Sequence, residues 1–254
     1  WWTNLTPARQ PSDVHRRNRC RHKTCYFHVM YSNYRPVLDR AVLNQHFLVS
    51  LDESATSPVE VWPVDSSPVI IRAEGTPGTR RALLGQFGLL PHWARDPTLA
   101  RRTYNARSET ASVKPNYKDA WAKGQRCIIP IECVFEPKWV KDKAERWKIE
   151  RADGAPMGIA GLWSQGWSPV GVAMMTFCML TVKADDHPLM QQFHKPDEEK
   201  RMVAVLDPTQ YDAWLDCPEP EMLGMLTPYP AEALRASVAP LEARHAPTRI
   251  SNIQ

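Results

Sequence analysis

Three segments of this chain carry side chains suited to acid–base chemistry. Tyr104-Asn105-Ala106-Arg107-Ser108-Glu109-Thr110 offers an amide, Cys127 to Trp139 (CIIPIECVFEPKW) reads as an apolar strand delivering Glu136, and Phe193-His194-Lys195 offers an imidazole. A carboxylate and an imidazole can exchange protons with a substrate near neutral pH, and an amide can donate and accept at once. No nucleophile stands beside any of the three in sequence. The segments lie far apart along the chain, so tertiary structure must bring them together.

The elements that would position them can be read from patterning. Asp39 to Leu51 places Val42, Leu43, Phe47 and Leu48 near one helical face. Short strands are expected at Val59 to Pro63, Pro68 to Arg72 and from Arg81 toward Leu90, split by Pro/Ser and EGTPGT turns. Pro115 to Lys123 reads as a helix stopped by Gly124. Further strands are expected at Arg126 to Phe135, Arg146 to Glu150, Met157 to Trp163, Met174 to Val182 and Arg201 to Leu206. A Pro-initiated helix is expected at Pro208 to Leu215. Many short strands with few short helices point to an α+β fold around a curved, barrel-like antiparallel sheet.

Composition bounds the rest. The chain has 254 residues, 43% hydrophobic and 24% charged, which suits a soluble globular protein. No apolar run approaches the about 18 residues of a membrane-spanning helix, and the opening residues lack a signal-peptide pattern. Six irregularly spaced cysteines do not read as a disulfide framework, so a reducing cytoplasm is the default. The net charge of +4 is misleading. Residues 1–29 hold Arg9, Arg16, Arg17, Arg19, Arg21 and Lys23 against Asp13 alone, so the body is slightly acidic. Any nucleic-acid binding by the body must come from a local basic patch.

Residues 1–29 show no apolar periodicity and read as a disordered basic extension; the first Met is Met30, which fits an upstream-extended frame or a fragment. Cys20, His22, Cys25 and His28 are too cramped for an ordinary Cys2His2 zinc site, and no metal or cofactor is expected. One globular domain is expected over 30–240, followed by a tail at 241–254.

YNARSET, Cys127…Phe135-Glu136, Thr181…Ala184-Asp185…His194 and Arg201-Met202, in this order and spacing, resemble the SRAP family, the SOS-response-associated peptidases or abasic-site processing proteins. The resemblance runs from about Met30 to about residue 240. It implies an SRAP-like α+β domain acting in DNA repair on single-stranded DNA with abasic sites, cytoplasmic and nucleoid-associated when DNA is damaged; a monomer is assumed. In the family a mature N-terminal cysteine forms a Schiff base with the opened sugar through its α-amine, and its thiol closes a thiazolidine ring. An α-amine with pKa near ~8 is partly unprotonated at neutral pH, which favours this chemistry.

By position, the resemblance implies that Asn105 holds the terminal group and sugar, Glu136 shuttles protons, and His194 is an acid/base near the imine or phosphodiester. Arg107 becomes a phosphate contact. Glu109 could pair with an arginine and hold the segment's shape. Arg35, Lys114, Arg126 and Arg72 are further candidates for the basic track. Trp93, in a Leu-Leu-Pro-His-Trp loop, leads the stacking candidates ahead of Trp62, Tyr117 and Trp121.

The chain departs from the family at one position. Met30-Tyr31-Ser32-Asn33-Tyr34-Arg35-Pro36 puts Tyr31 where the family has its cysteine. A phenol cannot close a thiazolidine and is a poor nucleophile at pH 7. Cross-linking is therefore expected to be impaired. Two other readings stay open: a non-catalytic single-strand DNA binder, and a Cys/His hydrolase using Cys127 or Cys133 with His194. An apolar strand is a poor setting for an activated thiol.

Overall fold

Apolar runs in this sequence become strands because both of their faces are covered. The protein is described here by a computed structural model covering residues 33–241 except 77, 142, 169, 170 and 196. In chain order its elements are β1 (Tyr34–Pro36), α1 (Arg40–Phe47), β2 (Ser66–Arg72), β3 (Arg80–Phe87), β4 (Asn105–Arg107), α2 (Lys118–Ala122), β5 (Arg126–Val140) and β6 (Lys143–Arg151). They continue as β7 (Met157–Trp167), β8 (Ala173–Lys183), β9 (Arg201–Val203), β10 (Val205–Leu206), α3 (Tyr211–Asp216), α4 (Glu219–Met225) and β11 (Leu234–Val238).

Five strands close on themselves. β2 pairs β3, β3 pairs β8, β8 pairs β7, β7 pairs β5, and β5 returns to β2 through Ile70 opposite Ile128. The sheet is the barrel-like core expected from the sequence. Two of its pairings run parallel, β3 with β8 and β4 with β8, in an otherwise antiparallel ladder. Closure explains the unbroken apolar run of β5: Cys127 to Ile131 is buried throughout. Aromatic contacts add to the core, with Phe87 stacked on Phe177 at 5.4 Å and meeting Tyr34 edge-on at 5.2 Å. At Gly161 a Cβ would lie 2.4 Å from Ile129 Cδ1 and 2.6 Å from the Cys178 carbonyl oxygen, so the β7–β8 approach requires glycine.

α1 forms because Asp39 caps it, accepting from the amides of Ala41 and Val42 at 2.7 and 3.2 Å. It buries Leu43 and Phe47. Leu48, expected on that face, instead ends the helix in a left-handed conformation (φ 58°) and is exposed. The expected strand at Val59 to Pro63 reduces to a single bridge between Val61 and Tyr34. The expected strand at Arg201 to Leu206 is two strands. Val203 pairs with Thr181 on β8 while Val205 pairs with Ile159 on β7, and Ala204 marks the crossing. β5 runs past its expected end at Phe135 to Val140, paired with β6 throughout.

Candidate active site

The site is organised around the end of β8. Met179 lies between Asn105 of β4 and Gly161 of β7, and Thr181 between Arg107 of β4 and Val203 of β9. β4 and β9 therefore flank one strand from opposite sides. Arg201, on β9, reaches across it. Its fully buried guanidinium donates to Thr181 Oγ1 at 3.1 Å and to the Thr181 carbonyl at 2.8 Å. It then meets Glu109 in a two-pronged pair at 2.7 and 2.8 Å, and Glu199 at 3.0 Å. Burial alone would raise the Glu109 carboxyl, but the Arg201 hydrogen bonds, with help from Ser108, hold it below its ordinary range. Glu109 thus has the arginine partner considered from sequence, and the arginine belongs to another motif of the resemblance.

His194 is linked to the same arginine through the backbone. Its Nε2 lies 3.4 Å from the Arg201 carbonyl oxygen and 3.5 Å from Glu136 Oε2. A carbonyl and a carboxylate only accept, so these contacts require the Nε2–H tautomer. Burial lowers the pKa of His194, and the Lys200 ammonium adds to this, against the Arg201 carbonyl and Glu198. A neutral imidazole therefore faces Glu136 at pH 7, able to act as a base.

Glu136 is buried, not at a solvent-exposed strand end, because β5 continues beyond it. Tyr104 is its electrostatic neighbour. Burial and the charge of Glu136 both raise the pKa of that phenol. Asn105 follows directly, and its carbonyl accepts from Tyr117 Oη at 2.8 Å. The three segments are thus joined: Glu136 to His194, His194 to Arg201, Arg201 to Glu109, and Tyr104 back to Glu136.

Tyr31, Cys20, His22, Cys25 and His28 lie outside the described residues. The chain at Asn33 is fixed beside the site, where its carbonyl accepts from the Phe135 amide at 3.3 Å. Asn33, Trp62, Phe135, Glu136 and Arg146 line a pocket of about 160 Å³. Trp62, Phe135 and Arg146 also border a groove of about 840 Å³ that takes in Arg35 and Lys148. Arg146 and Lys148 were not read from the sequence. Their signal was alternation on β6, which sets them opposite Pro137 and Phe135, on one face of the strand pair. The Arg146 guanidinium lies 3.3 Å over the Phe135 ring.

The expected DNA contacts divide into two groups. Trp93 is 47% exposed, Lys114 and Arg107 are exposed and Arg35 is partly exposed, the two arginines pairing with carboxylates (Arg35 with Glu60, Arg107 with Glu199). Arg126 is not on the surface. Its guanidinium is buried against the Cys217 carbonyl at 2.5 Å and Met222 Sδ at 2.8 Å, where it anchors the chain after α3. Trp121 and Tyr117 are likewise core residues, and Arg72 is tied to Asp212 and Asp216 of α3. A basic residue opening an apolar strand has no sequence mark that separates surface from core.

Cys127 and Cys133 are also buried. Burial pushes Cys127 well up and Cys133 to about 11, which leaves both as unreactive thiols at neutral pH. Among the described residues no cluster of three or more His, Cys, Asp or Glu side chains could hold a metal ion, and no helix is long and apolar enough to cross a membrane.

Comparison with known proteins places this arrangement. The abasic site processing protein YoqW of Bacillus subtilis (strain 168) is 30% identical over 155 residues, covering 59% of this chain and 66% of that protein. YedK of Escherichia coli (strain K12), also named an abasic site processing protein, is 30% identical over 164 residues, covering 60% of this chain and 68% of YedK. A crystal structure of a Bordetella bronchiseptica protein superposes with a TM-score of 0.75 at 37% identity, covering 83% of this chain and all of that one. The sequence profile of SRAP, SOS response associated peptidase, matches residues 30–241, and the chain belongs to that family.

Proposed function

We propose that this protein recognises and processes abasic sites in single-stranded DNA, with chemistry at Glu136, His194 and Asn105. The observation that carries the reading is the buried Glu136–His194 contact at 3.5 Å. In a dry setting these two bases can take the proton that an amine releases on adding to an aldehyde and return it to the hydroxyl that leaves as water, as making an imine requires. The relatives named abasic site processing proteins support abasic-site processing in general. Arg35, Arg107 and Lys114 contact phosphates, and Trp93 offers a face on which a base can stack.

Tyr31 sets the limit on this activity. It has no thiol to trap an imine, so stable cross-linking is impaired while binding to the lesion is retained. An amine at Met30, if that residue is the mature terminus, can still condense reversibly with the sugar aldehyde, losing water. The test uses the chain started at Met30, as given and as Tyr31→Cys, incubated with abasic single-stranded DNA and run on a denaturing gel. Only the cysteine variant should shift. An SDS-stable adduct of the unaltered chain would overturn the impairment. If neither chain shifts and neither prefers abasic over intact DNA, the function itself is refuted, leaving a non-specific single-strand binder.

A further inference from the structure

His194 has φ 61°, a left-handed backbone conformation that disfavours residues with a Cβ and persists only where the surroundings over-determine it. The surroundings here are the β5–β6 hairpin. The His194 amide donates to the Pro137 carbonyl at 3.0 Å, making a bridge alongside Lys138. The residue before it, Phe193, is fully buried and meets the Trp147 ring edge-on, with centroids 6.2 Å apart. The residue after it, Lys195, places its ammonium 5.0 Å from the Trp139 ring centroid. Lys138 adds a second tie, lying 4.4 Å over Trp147 while donating to Gln192 Oε1 at 3.1 Å. Trp147 is also the direct cross-strand partner of Glu136. One indole therefore stands opposite the carboxylate and braces the residue next to the imidazole.

We infer that Trp147 is a positioning residue, whose ring sets His194 against Glu136 by holding Phe193, and that Trp139 secures the other side of His194 through Lys195. Neither touches substrate in this account. The inference rests on the proposed site being the active one, but its geometry can be tested without DNA. With Trp147 removed, Phe193 loses its brace and His194 is free to relax out of the left-handed conformation, away from the carboxylate and into water. The charged and titratable groups facing His194 are Glu136 from β5 and Lys200 and Glu198 from the loop before β9, with the neutral Arg201 carbonyl of β9 as a further hydrogen-bond partner.

The experiment is a histidine titration by NMR on the full chain, with the His194 signal assigned by its loss in His194→Gln. Trp147→Ala should move the His194 midpoint upward, toward the ordinary ~6.5. Trp147→Phe, which keeps a ring against Phe193, should stay near the parent. A folded Trp147→Ala protein with an unchanged His194 midpoint overturns the inference. If that variant fails to fold, Trp139→Ala, which alters the half-exposed Lys195 contact, decides instead: an upward shift supports the inference and an unchanged midpoint overturns it. In a Tyr31→Cys chain started at Met30, Trp147→Ala should slow cross-linking by about 10- to 100-fold without weakening DNA binding. If the Tyr31→Cys chain does not cross-link at all, the proposed function fails, while the titration still decides the role of Trp147.

Discussion

His194 couples the stability of the fold to pH, and the sign follows from burial. Its folded pKa lies below the ordinary value, so as pH falls the unfolded chain takes up this proton before the native state does. The stability this group contributes is fully present above the unfolded value of 6.5 and is lost as pH drops through that value toward the folded one. Urea midpoints at about pH 7.5 and about pH 5 should show this loss, and His194→Gln should reduce it. An equal loss in the variant would assign the effect to other groups. Glu109, held low by Arg201, adds a separate loss at more acidic pH. At this scale the sequence was partly legible. Glu136 and His194 stood out by residue type and meet in the fold. Arg126 and Trp121 looked like surface groups because side-chain chemistry alone does not report burial.

The ion cluster around β8 is an element-scale device, since Arg201 on β9 reaches over β8, bonding to Thr181, to meet Glu109 on the far side. Arg201→Ala removes the shared cation of the partly solvated Glu109 and Glu199 and leaves the buried Thr181 carbonyl without its donor, and should destabilise the protein by about 1–3 kcal/mol in urea denaturation. A loss below about 1 kcal/mol would mean that water replaces the guanidinium at little cost. Barrel closure makes a second prediction. Gly161→Ala forces a methyl into Ile129 and the Cys178 backbone, and should cost about 1–3 kcal/mol or more by the same assay. Long strands were legible here because β5, β7 and β8 carry unbroken apolar runs. The three-residue strands β1 and β4 were not, because their extended state is set by partners distant in sequence, and the break that splits Arg201 to Leu206 into β9 and β10 was not legible for the same reason. β4 carries Asn105, so the placement of that residue was illegible for the same reason.

For the molecule as a whole, the slightly acidic body limits how DNA can be held. With Arg35, Arg107 and Lys114 as the phosphate contacts, the affinity for single-stranded DNA should fall with salt at a log–log slope of about −2. Arg107→Ala should flatten that slope by about 0.7. A slope several units steeper would place the main contacts elsewhere, with the basic residues 1–29 as the first candidates. The parallel pairing of β4 with β8 and the reach of Arg201 over β8 also bear on how the protein is made. Glu109 waits 92 residues for its arginine. A nascent chain that has completed the YNARSET segment has no strand to pair it with until β8 is made, and no cation for Glu109 until β9 follows. Synthesis therefore adds the keystone near the end, and a chain cut short before Arg201 has no cation to tie Glu109 to β8.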